Sequence, residues 1–123
     1  MGWYQMFSVA SNNVITITRG DSASTSIFIN CGDALDTEQY VLEDTDAVYV
    51  GVMENDSKFE DAIIKYKLTS DDLDENNNVV WSLKPTDTEY LEPGKYFYEV
   101  KLTRNDGGLV DTVVSKTPFF IQD

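Results

Sequence analysis

The chain has 123 residues, with 22 acidic against 9 basic side chains and a net charge of −13 at pH 7. That length suits one domain with a real core, and 6 Phe, 7 Tyr and 2 Trp argue against wholesale disorder. The acidity argues against a phosphate-backbone or anionic-membrane binder, so neither nucleic acid nor membrane is an expected partner.

The opening segment, residues 1–10 (MGWYQMFSVA), is apolar but has neither a basic start nor a long aliphatic stretch, which makes it a poor signal peptide. Met6 stands where a myristoylation motif wants Ser or Thr. Synthesis in the cytoplasm is the expectation. Residues 1–13 read as an apolar N-terminal arm ahead of a domain over 14–123. Trp3, Tyr4, Met6 and Phe7 are its candidate partner-binding residues, serving either as a first strand or as a dock on a neighbouring subunit.

Period-two patterning then dominates. Val14–Thr18 is a β-branched run closed by Arg19-Gly20-Asp21, which reads as a turn before it reads as an integrin-binding tripeptide. The expected strands that follow are Ser24–Cys31, Asp46–Glu54 (Val48, Val50 and Val52 on one face), Ile63–Leu68 and Val79–Leu83. Lys95–Thr103 sets Tyr96, Tyr98, Val100 and Leu102 against Phe97, Glu99, Lys101 and Thr103. Asn105-Asp106-Gly107-Gly108 is a hairpin signal leading into Leu109–Val114. Pro118 interrupts the return, so Phe119-Phe120-Ile121 is expected on an edge. The segments 36–45 and 70–78 read as loops.

One short helical turn is expected within residues 84–94, capped by Thr86 or Asp87 with Glu89 at capping-box spacing and ended by Pro93-Gly94. The fold class is therefore all-β: a single antiparallel β-sandwich of Ig-like or Greek-key type with about eight strands.

The chemistry-bearing patterns are few. With 0 His, the commonest general base, metal ligand and pH switch is missing. The lone Cys31 can close no internal disulfide, has no imidazole to activate it, and reads as a small buried hydrophobe. Asp72, Asp74 and Asn76 mimic the opening of a calcium loop, but Asn77 stands where that loop needs Gly and Leu83 where it needs Glu. They are weak metal candidates in what reads as a solvated acidic loop. Carboxylate pairs are too abundant here to signal a glycosidase. No catalytic residue and no cofactor is assigned, and the chain reads as a non-enzyme. Trp81 and Tyr98 fall on core alternation.

Several stretches carry a resemblance. Val14–Ser26 (VITITRGDSASTS), Tyr49–Ile64 (YVGVMENDSKFEDAII), Leu83–Leu102 (LKPTDTEYLEPGKYFYEVKL) and Val110–Ile121 (VDTVVSKTPFFI) resemble small β-sandwich virion proteins of tailed, crAss-like gut bacteriophages. They are also similar to the N-terminal domains of baseplate proteins. The third stretch is the most specific, and it specifies a fold with no catalytic group. The resemblance implies a virion structural protein, made in the host bacterial cytoplasm, whose partners are other capsid or tail proteins and copies of itself. A capsid decoration or head fibre, bound on the outside by the arm and sheet edges, is the expectation. A tail or baseplate adaptor and a host-surface binding module are the alternatives. An acidic decoy mimicking DNA fits less well, because the carboxylates gather in loops.

Overall fold

A computed structural model describes residues 6–9, 14–32, 37–55 and 57–123. Strand is the predominant secondary structure, so the protein is mostly β. In chain order the strands are β1 (Met6–Val9), β2 (Ile15–Thr18), β3 (Ala23–Ile27), β4 (Ile29–Gly32), β5 (Thr37–Gln39), β6 (Ala47–Met53), β7 (Ile64–Leu68), β8 (Val79–Leu83), β9 (Gly94–Arg104) and β10 (Leu109–Gln122). Among the described residues one helix, α1 (Pro85–Thr88), follows β8, and 3-10 turns lie at Phe59–Asp61 and Ser70–Asp72.

The strands form a five-stranded sheet in the order β2-β10-β9-β6-β7, a three-stranded sheet β1-β4-β5 and a two-stranded sheet β3-β8. The expected β content is present, but the pairing is mixed. β2 runs parallel to β10, Ile15 opposite Phe119 through Thr18 opposite Gln122, while the other pairs are antiparallel.

The core lies where β8 crosses the five-stranded sheet. Trp81 is 2% exposed and packs on Tyr98 of β9 and Phe119 of β10, with ring centroids 5.9 and 6.2 Å away. Such tilted aromatic contacts add roughly 0.5–1.5 kcal/mol to the area they bury. Val48, Val50 and Val52 supply the β6 contribution, as their alternation requires. Gly51 and Met53, on the other face of β6, are buried as well, because the Phe59–Asp61 turn folds over them. Space beneath that turn is tight: a Cβ at 51 would stand 3.1 Å from both the Ala62 Cβ and the Phe59 ring, which would have to give by a few tenths of an ångström.

Four local expectations are corrected. Ser24–Cys31 is two strands in different sheets, divided at Phe28, which is 40% exposed at the crossing. Alternation continues through the break, with Ile27 and Ile29 both buried, so the change of partner leaves no mark in the pattern. Within 36–45, expected as loop, three residues form β5 against β4.

β10 is one long interior strand, and Pro118 lies inside it opposite Phe97. Pairing to β2 starts only at Phe119, so the missing proline donor breaks no rung on that side. Register shifts between Thr112 and Val114 and between Val114 and Thr117 precede it. Finally, α1 starts two residues earlier than a Thr86 cap would allow. Lys84 is its N-cap, Pro85 opens the helix, and Asp87 Oδ2 accepts the Lys84 N–H at 2.8 Å.

Candidate interaction surface

The acidic loop spends its carboxylates on its own backbone. Thr69 and Asp72 cap the Ser70–Asp72 turn reciprocally, Asp72 Oδ2 accepting the Thr69 N–H at 2.8 Å. Asp74 Oδ1 accepts the amides of Asn76 and Asn78 at 2.8 and 3.0 Å, and Asn77 turns the chain at φ 63°. Asp72, Asp74 and Asn76 are thus neighbours held by loop geometry. Among the described residues no group of three or more His, Cys, Asp or Glu is placed to share a metal ion.

Arg19-Gly20-Asp21 is a turn. Gly20 has φ 82° and donates its N–H to Thr88 Oγ1 at 2.9 Å, while the Arg19 guanidinium is bound to the Asp123 carboxylate. Thr88, fully buried, is the residue that ties α1 to this turn, and nothing in the sequence singled it out. Cys31 is half-buried, and burial is the main cause of its raised thiol pKa, which suits packing and not nucleophilic attack.

Trp3 and Tyr4 lie outside the described residues, as do the side chains of Met6 and Phe7. The backbone of Met6–Val9 forms β1, antiparallel to β4, with Met6 opposite Gly32 and Phe7 opposite Cys31.

The face of the five-stranded sheet that points away from the core carries the least expected chemistry. Tyr49 on β6 lies between Lys67 on β7 and Lys101 on β9, and Gly51 lies between Lys65 and Glu99. Cross-strand partners share a face, so register gathers these side chains together. Lys95 and Lys116 stand over the Phe97 ring at 5.3 and 5.9 Å, Lys101 over Phe59 at 4.7 Å, and Lys67 near Tyr49 at 6.0 Å.

Five of the 9 basic residues of an acidic chain therefore occupy one face. Among the described residues, none of their ammonium groups lies within ion-pair distance of a carboxylate; the pairs found are Arg19–Asp123 and Arg104–Asp111. Lys65 and Lys116 instead donate to the carbonyls of Glu60 and Ser57 at 3.0 and 2.8 Å, clasping the turn over the sheet. Beside that turn opens a groove of about 300 Å³, lined by Tyr49, Val50, Phe59, Glu60, Lys65 and Tyr66.

Period-two reading had placed Lys65, Lys67 and Lys101 on the polar sides of their strands. Their convergence depends on which strands pair, which one sequence does not state. The signal available was a partial segregation of sign: five of the seven lysines fall inside strands, while most of the acids fall in loops.

The groove wall is held from behind. Tyr66 donates its hydroxyl to Asp87 Oδ2, the same oxygen that caps α1, and its phenol is pushed up to about 12, mainly by burial and then by that bond. Tyr40 makes the matching bond to Asp46, whose Oδ2 also accepts the Glu43 N–H at 3.0 Å.

Searches with this sequence returned no matching protein-family model and no matching curated protein.

Proposed function

We propose that this chain is a non-catalytic structural protein of a tailed-phage particle, with its sheets layered as an Ig-like sandwich. In that role it sits as a decoration or head fibre on the capsid exterior, attached through the N-terminal arm and sheet edges. The observation that carries the reading as a contact protein is the sign-segregated surface: lysines and aromatic rings gathered on one sheet face of a chain whose net charge is −13. The assignment to phage rests on the resemblance of the Leu83–Leu102 segment. In support of attachment at sheet edges, β1 hydrogen-bonds to β4 alone among the described strands, with β10 close beside it, and β7 ends the five-stranded sheet.

Quantitative mass spectrometry of gradient-purified particles of the encoding phage tests this. Copy numbers that match the head lattice support decoration. Numbers that match the portal or its multiples move the protein to the tail or baseplate, and absence from the particle overturns the structural reading. A host-surface binding module is the second reading, favoured by the groove between Tyr49 and Phe59, two half-buried aromatic rings. It predicts retention on host cells or on glycans extracted from their surface.

A further inference from the structure

Of the large apolar side chains exposed among the described residues, Tyr90 stands out at 89% exposed. It follows α1 in the segment Asp87-Thr88-Glu89-Tyr90-Leu91-Glu92. Thr88 and Leu91 face inward, and Glu89 and Glu92, exposed, flank Tyr90 in sequence. The chain thus presents an aromatic knob flanked by carboxylates.

The groove on the lysine face is its counterpart in shape and sign. Tyr49 and Phe59 form aromatic walls, Lys65 and Glu60 both line it, and Lys67 and Lys101 approach the rings of Tyr49 and Phe59, so three lysines gather against one lining carboxylate. Lys65 and Lys67 alone have a simpler explanation, since lysines on an edge strand such as β7 block unwanted strand pairing. That explanation does not reach Lys101, which sits on an interior strand of the same sheet.

We propose that Tyr90 of one copy seats in the Tyr49–Phe59 groove of a second copy, with Glu89 and Glu92 of the first against Lys65, Lys67 and Lys101 of the second. The inference stands independently of the virion assignment. A buried tyrosine is the kind of anchor that dominates an interface, and the charges around it fix orientation and make the contact salt-sensitive. Every copy carries both a knob and a groove, so the contact can propagate from copy to copy or close as a reciprocal pair.

Sedimentation of the full chain across a concentration series, at low and at high salt, tests the proposal. The wild type should self-associate reversibly at low salt and less at high salt. Tyr90→Ala should weaken association by at least about tenfold. The double variant Lys65→Glu/Lys67→Glu should do the same, each with an unchanged circular dichroism spectrum. Because Tyr90 is almost fully exposed, its variant remains informative even where the lysine variant disturbs the 57–61 turn. An equimolar mixture of the two variants, which keeps one intact knob and one intact groove, should yield a complex of twice the monomer mass. A wild type that stays monomeric at low salt overturns the proposal and leaves the groove to a different acidic partner. Association untouched by Tyr90→Ala overturns it too, as does a mixture that remains monomeric.

Discussion

The Tyr66 hydroxyl and the Asp87 carboxylate link an edge strand of the five-stranded sheet to the first turn of α1. Burial and that bond raise the phenol from 10.0 to about 12 in the folded chain. A group whose folded pKa lies above its unfolded value gives its full contribution below the unfolded pKa and loses it as pH rises through the folded one. The Tyr66 contribution is therefore complete below pH 10.0 and declines towards about 12. Urea midpoints measured across that window should fall, and Tyr66→Phe should make the fall shallower. Tyr40, raised first by burial and then by its bond to Asp46, supplies a further part of the decline. Gly51 is a second residue whose tolerance is set by close neighbours. Gly51→Ala forces a methyl to within 3.1 Å of Phe59 and Ala62. It should cost about 1–3 kcal/mol in chemical denaturation, as overpacked sites do.

Elements built on local rules were legible in the sequence, and those built on partner choice were not. β8 over Val79–Leu83 coincides with its expected range, and β6, β7 and β9 lie within two residues of theirs, because alternation and turn residues mark their ends. The β9–β10 hairpin formed on its Asn-Asp-Gly-Gly signal, with Asn105 and Asp106 at φ 53° and 54° and Gly107 at 92°. The break at Phe28 stayed hidden because both flanking isoleucines keep alternation. The parallel alignment of β2 with β10 stayed hidden because nothing local encodes a partner a hundred or so residues away. The groove was half legible: its aromatic and lysine residues were on the page, but not the register that assembles them. In the acidic loop, the calcium-like spacing of Asp72 and Asp74 coincides with an arrangement of caps. With those carboxylates already accepting amides, added calcium should leave the unfolding temperature where a chelator leaves it, as differential scanning fluorimetry can read.

For the molecule as a whole, charge is the dominant long-range term. A net charge of −13, offset among the described residues by two ion pairs, leaves the folded state under self-repulsion. Salt should therefore raise the urea midpoint at neutral pH without changing the denaturant slope, because screening gains more than weakened exposed pairs lose. The same salt weakens the knob-and-groove contact, so stability and self-association are expected to move in opposite directions. That contrast separates a repulsion shared by the entire surface from an attraction confined to one face.

The parallel pairing of β2 with β10 also bears on the order of events during synthesis. Ile15–Thr18 emerges from the ribosome long before Phe119–Gln122, yet those are the residues it pairs with. β9 likewise has only β6 as a sheet neighbour until β10 arrives. Until then Tyr98, Val100 and Leu102 have no Phe119 and Ile121 to close over them. β2 must therefore wait while β6, β7 and β9 are made, and one strand, β10, then covers both its edge and that of β9.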